Sequence, residues 1–293
     1  MQLSEIGETG LLAELERRGL VLGIENDAAE LAGGLVVTQD ALVEGVHFRL
    51  DWTSWRDLGY KAAAVNLSDL AASGAQPEAL LVTLAVPGAT LLADVVQLYE
   101  GLSEPGVPIR GGDVASAPRA TLSVTAVGRS KRVPGRSGAR PGDALVVTGP
   151  LGGSAAGYLA LAEAIATPLR DAHRRPPLRL REGQLLASTA HALMDLSDGL
   201  VSDAERIAAR SGCKLVIELE RVPIVDGVKE VAERVGRDVW DLVCGFGEDY
   251  ELLAAVGDAP FPTIGWCEAG AGVELRLQGE HHEVSRWRHF GDA

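Results

Sequence analysis

At 293 residues the chain is long enough for two domains of ordinary size, each with its own core. Hydrophobic residues make up 46% and charged residues 23%, the balance of a soluble globular protein, and with aromatics at 4% the cores must be built mainly from Ala, Val and Leu. A formal net charge of −14 argues against nucleic acid, which needs a basic face, but it admits a phosphorylated small substrate with divalent cations held between the two.

In chain order, Leu35–Thr38 reads as a strand, and the apolar stretch Asp57–Ser73 reads as a helix, stopped by Gly74 with Pro77 just beyond. A strand over Leu80–Val86, a helix over Thr90–Ser103 and a strand over Thr121–Gly128 follow. Lys131–Asp143, dense in Gly, Pro and Arg, marks a linker, which divides the chain into residues 1–134 and 135–293. The second half predicts strands over Ala144–Thr148, Lys214–Leu219 and Leu252–Val256. Helices are expected over Ser154–Ala166, Glu182–Met194, Val201–Arg210 and Gly227–Val235. The class is α/β or α+β, and periodicity does not choose between them. The stretch His173–Arg181, rich in Pro and Arg, reads either as a connection or as a basic lip facing phosphates.

Cys213, Cys244 and Cys267 are far apart and form no CxxC pair, which fits reduced thiols and not a zinc site or a disulfide framework. Acidic residues interrupt the apolar ones at the N-terminus, unlike a signal peptide. No run approaches the roughly 20 apolar residues of a membrane span. A cytoplasmic location is therefore expected, with neither nucleic acid nor membrane as partner.

Familiar phosphate-binding devices are absent. None of the four lysines, Lys61, Lys131, Lys214 and Lys229, follows a glycine, so there is no P-loop, and the protein-kinase motifs are missing too. The Gly-rich turn Gly149–Gly157 lies between a predicted strand and helix and offers backbone N–H groups to a phosphate, although such turns are common.

Aspartates, in contrast, recur at the edges of apolar segments: Asp27, Asp40, Asp69, Asp113, Asp195 and Asp198. Asp27, Asp40 and Asp113 read equally as turn residues, and Asp198 as a helix N-cap. Asp69, inside an apolar helix, is poorly explained by propensity. Together the six suggest a shared Mg²⁺ site, because that ion takes hard oxygen ligands from carboxylates and substrate phosphates.

Seven blocks then carry a resemblance. Asp40–Phe48, Gly59–Ala75, Gly111–Asp113, Arg136–Asp143, Gly152–Gly157, Asp195–Leu200 and Gly247–Leu252 resemble, in order, those of the thiamine-monophosphate kinase family. The resemblance implies the fold shared with aminoimidazole-ribonucleotide synthetases: an N-terminal α/β domain that dimerises through its sheet, a C-terminal α+β domain, and an ATP site between them. It implies phosphorylation of thiamine monophosphate by ATP with several Mg²⁺ ions, in a homodimer. It also implies metal-binding roles for Asp27, Asp40, Asp69, Asp113, Asp195 and Asp198, with Thr38 and Gln39 beside them. Gly112, Asp113, Arg136 and Ser197 match nucleotide-contacting positions, and Asp69, Asp113 and Arg136 are the residues expected to act in catalysis. His47 and Glu248 match substrate-side positions, and Trp287 is similar to a C-terminal aromatic that contacts substrate.

Some positions depart from the family pattern. Gly23–Asp27 has Asn26 where a second adjacent aspartate is usual, Gln39 and Val114 replace threonines, and Phe246 interrupts a Gly-Gly pair. By spacing alone, His47 reads as a strand-end histidine, and Trp52 and Trp55 read equally as stacking or core residues. The rival readings are an aminoimidazole-ribonucleotide-synthetase-like enzyme and a non-catalytic nucleotide-binding protein. Selenophosphate synthetases need a reactive residue near the N-terminus, where this chain has no cysteine before Cys213.

Overall fold

The computed structural model describes residues 2–23, 26–258 and 261–285. The first half runs α1 (Leu3–Arg17), β1 (Ala29–Leu31), β2 (Leu35–Val43), α2 (Trp55–Ala72), β3 (Gln76–Val86), α3 (Leu92–Ser103), β4 (Ile109–Ser116) and β5 (Thr121–Arg129). Its five strands form one sheet in the order β1-β2-β5-β3-β4, antiparallel except for the β3–β4 pair. Along β5, Leu122, Val124 and Ala126 are fully buried and alternate with half-buried Thr121, Ser123, Thr125 and Val127. One face is thus packed on helices and the other is open.

No helix or strand occupies 130–143. The second half then runs β6 (Ala144–Val147), α4 (Gly153–Ala162), α5 (Leu169–Arg174), α6 (Leu180–Ala187), β7 (Ala192–Asp195), α7 (Leu200–Ser211), β8 (Lys214–Glu218), α8 (Val228–Val235), β9 (Leu252–Val256), β10 (Thr263–Glu268), β11 (Gly272–Leu277) and β12 (Glu280–His281). These strands form a seven-stranded mixed sheet in the order β12-β11-β8-β10-β6-β9-β7. Every residue of β7 and β9 is buried, because α4, α7 and α8 cover one face while α6 and the end of α2 cover the other.

α2 joins the two halves. Ser54 caps it by accepting the Asp57 N–H at 3.1 Å, and Gly74 ends it in the left-handed region at φ +60°. Thirteen of its eighteen residues are buried, since it packs on the first sheet, on α3 and, through Ala71 and Ala72, on the second sheet. Its contact with α3 is backbone to backbone. A Cβ on Gly59 would lie 1.9 Å from the Leu98 carbonyl oxygen, and one on Gly101 would lie 1.9 Å from that of Arg56.

Several elements differ from the sequence reading, which assigned nothing at α1, β1, α5, β10, β11 or β12. The helix expected over Glu182–Met194 ends at Ala187, and Ala192–Asp195 is strand β7, a four-residue apolar run that periodicity cannot separate from a helix. The helix expected to reach Ala166 stops at Ala162, and Ala164 turns to φ +53°. β4 went unpredicted because it reads Gly-Gly-Asp and owes its form to pairing with β3.

Candidate active site

Strand alternation sorts the residues of β2. Thr38 and Asp40 lie opposite Ala126 and Val124, both fully buried, and so face α2. The Thr38 hydroxyl donates to the Asp69 carboxylate, and the Asp40 N–H donates to Asn66 Oδ1 at 2.9 Å. Gln39 turns to the open face, where its amide bonds Ser123 Oγ at 2.7 Å and Thr125 Oγ1 at 3.3 Å. The structure therefore does not bring the Gln39 side chain to the carboxylates.

One ligand oxygen each from Asp27, Asp69 and Asp195 lies within 4.8 Å of the others. Asp27 comes from the segment before β1, Asp69 from the last turn of α2, and Asp195 from the end of β7, where it is 1% exposed. Ser68, beside Asp69, donates to Asp195 at 2.7 Å. Burial, then mutual repulsion with Asp195, Asp40 and Asp27, drives the Asp69 carboxyl well above its ordinary value, against the Thr38 hydrogen bond. Burial and Asp27 push Asp195 up to about 8. Burial also raises Asp27, although Arg136 pulls the other way. Hard oxygens crowded in a buried place, with the Arg136 guanidinium bonded to Asp27 as direct compensation, fit a divalent cation such as Mg²⁺.

Arg136 is held from below as well. Its backbone N–H donates to Asn26 Oδ1 at 3.1 Å, so the amide that replaces a carboxylate at this position fastens the linker. Asp198 is gripped by Arg206, whose other nitrogen bonds the fully buried Asp203 at 2.7 Å, and the Asp198 N–H donates to Asp203 at 3.1 Å. The sequence reading missed both partners, although an Asp and an Arg three apart in the first turns of α7 are a legible pair.

Asp113 is exposed on the edge strand β4, opposite Thr83, and lies outside the three-carboxylate group. Gly112 before it, at φ +147°, passes so close to β3 that a Cβ would lie 1.8 Å from the Val82 carbonyl oxygen. Trp287 lies outside the described residues.

The loop Gly247–Glu251 runs alongside Leu196 and Ser197. The Glu248 N–H donates to the Ser197 carbonyl at 2.9 Å, Tyr250 N–H to Leu196 at 3.0 Å, and Leu196 N–H to Glu251 at 2.8 Å. Each acid in the loop has its own partner. Glu248 lies 3.1 Å from Lys61 Nζ, and Glu251 takes two bonds from Arg179 at 2.6 and 2.5 Å. Asp249 accepts the N–H groups of Gly152 at 2.8 Å and Ser154 at 3.1 Å. That last pair corrects the phosphate reading of the Gly-rich turn: a carboxylate of this chain already occupies those donors. The Pro/Arg stretch resolves to a connection, with Arg175 paired to Asp57 at 3.0 Å and to Glu104, and Arg179 committed to Glu251.

His47 follows β2 in a tight turn, and its Nδ1 accepts the Val43 N–H at 3.0 Å, which leaves the proton of the neutral ring on Nε2. Trp55 packs against the first core. Trp52 instead meets Tyr158 edge-on at 5.9 Å, and Tyr158 in turn meets Phe246 at 5.3 Å and His173 at 5.6 Å.

The AIR synthase related protein N-terminal domain matches residues 25–130, and its C-terminal domain matches residues 140–261. The thiamine-monophosphate kinase of Aquifex aeolicus is 34% identical over 99% of this chain and 100% of its own length. That of Mycobacterium tuberculosis is 36% identical over 99% of this chain and 93% of its own. The solved structure of AaThiL complexed with AMPPCP and TMP superposes with a TM-score of 0.91 at 33% identity, over 99% of both chains. Full-length similarity in sequence and in fold, with both AIR synthase domains present, makes this chain a member of the thiamine-monophosphate kinase family.

Proposed function

We propose that the chain transfers the γ-phosphate of ATP to thiamine monophosphate, forming thiamine diphosphate. The observation that carries this is the convergence of Asp27, Asp69 and Asp195, drawn from both halves of the chain, in a fold that superposes end to end on a relative complexed with AMPPCP and TMP.

Asp27, Asp69 and Asp195 are the residues to hold Mg²⁺, with Thr38 and Asp40 on β2 and Asp198 before α7 beside them. Bound there, the ion supplies the charge neutralisation that two approaching polyanions require. Arg136, fixed by Asp27 and Asn26, adds a permanent positive charge at the triphosphate, with Gly112, Asp113 and Ser197 as further nucleotide contacts. His47 and Glu248 face the acceptor. The acceptor is a phosphate monoester whose second pKa is about 6, so its attacking oxygen is already anionic at neutral pH and no general base is needed. Transfer is direct and in line, without a phosphoenzyme. Two copies pair through the open face of the five-stranded sheet, and the enzyme works in the cytoplasm. Among the described residues no helix is long and apolar enough to cross a membrane.

Purified protein incubated with ATP, MgCl₂ and thiamine monophosphate should yield thiamine diphosphate on chromatography. Omission of magnesium, or free thiamine in place of the monophosphate, should abolish product. Product from free thiamine, or none from the monophosphate, would refute the substrate assignment.

A further inference from the structure

Lys61 is a lysine in a place built for an apolar residue. It sits in the buried middle of α2 among Leu58, Ala62 and Val65, and its side chain is 3% exposed. Desolvating an ammonium there is costly unless the charge is matched. Its Nζ lies 3.1 Å from Oε2 of Glu248, 187 residues away in the other half of the chain. Lys61 also shares its helix face with Ser68 and Asp69, seven and eight residues on, so one stripe of α2 serves both Glu248 and the carboxylate group.

Glu248 is held just as firmly from the other side. Its backbone is in the left-handed region at φ +58°, which a glutamate adopts only when its surroundings require it. Nδ1 of buried His173 approaches the same Oε2 at 3.2 Å and Ser154 Oγ at 3.0 Å. Burial pushes the His173 ring down to about 3, so it lies neutral against Oε2. Burial works to raise Glu248, but Lys61, by charge and hydrogen bond, together with His173 and His47 brings its carboxyl below the ordinary value. Both contacts end on Oε2. Oε1 takes neither, and the side chain remains 24% exposed. Against His173 stands the ring of Tyr158, which in turn meets Trp52 and Phe246, so an aromatic cluster borders the Glu248 carboxylate.

We propose that Lys61 is a positioning residue for the acceptor substrate: anchored on α2, it holds Glu248 by Oε2 so that Oε1 accepts a hydrogen bond from the amino-bearing heterocycle of thiamine monophosphate. This rests on the substrate reading above. Lys61 touches neither substrate, and it acts only through Glu248.

The test is a double-mutant cycle of Lys61→Met, Glu248→Ala and the pair, with KM measured separately for thiamine monophosphate and for ATP. Lys61→Met should raise KM for thiamine monophosphate roughly tenfold to a hundredfold, the cost of a misplaced substrate contact, and leave KM for ATP unchanged. In the Glu248→Ala background the same substitution should add nothing. An unchanged KM for thiamine monophosphate overturns the proposal, as does a parallel rise in both KM values or an effect that persists without Glu248. If Lys61→Met does not fold, Lys61→Gln, which keeps a donor near Oε2, must show the same split in smaller degree. Wild-type protein that does not turn over thiamine monophosphate overturns the substrate reading itself, and this proposal with it.

Discussion

Asp195, Asp69 and Asp249 are buried carboxyls whose folded forms favour the proton, and this gives the metal-free chain an unusual pH response. Asp195 is pushed to about 8 and Asp249 to about 7, both first by burial, while Asp69 is driven well above its ordinary value. In the unfolded chain an aspartate titrates near pH 3.9, so above that value the folded state binds more protons and stability falls as pH rises through the folded values. His173 opposes this at lower pH. Its folded value of about 3 means that stability rises with pH until the unfolded value near 6.5 is passed. The carboxyls therefore act alone between about pH 6.5 and pH 8. With EDTA present, Tm should fall across that window, and MgCl₂ should restore it at the upper end. A Tm that rises with pH there would contradict the burial of these three carboxyls. At this scale the sequence was partly legible. Asp69 stood out because a helix interior has no use for an aspartate, whereas Lys61–Glu248 and Arg206–Asp203 depend on packing that one chain's order does not reveal.

Among the elements, β2 shows what pattern reading can and cannot resolve. Read as Leu35–Thr38 it is too short to place Gln39 and Asp40, but the strand runs to Val43, and its period of two puts Thr38 and Asp40 on one face and Gln39 on the other. β7 was read as helix because strands buried on both faces lose their alternation. The same alternation leaves Leu31, Val37, Leu81 and Val127 together on the open face of the first sheet, with Leu31 49% and Leu81 41% exposed. Apolar side chains gathered on an uncovered sheet face are the mark of an association surface. If two copies pair through this face as proposed, Leu81→Lys should shift the protein from dimer to monomer in analytical ultracentrifugation, because it puts charge into an apolar contact. Wild-type protein that sediments as a monomer would contradict the pairing.

For the molecule as a whole, α2 explains why two halves make one site. It packs on the first sheet, meets the second through Ala71 and Ala72, and carries Lys61, Asn66, Ser68 and Asp69 to partners in both. The two-part organisation was legible because Gly, Pro and Arg crowd into 131–143, and the residue types of the site were legible as aspartates at segment edges. Their convergence was not, since it depends on how the halves dock. The most direct measurement is the rate of thiamine diphosphate formation by Asp69→Asn beside wild type, with circular dichroism of both. Loss of one carboxylate from the cation site, with shape kept, should lower kcat by about 100-fold or more while the fold is unchanged. A variant that turns over thiamine monophosphate at the wild-type rate would contradict the assignment of this carboxylate group to phosphoryl transfer.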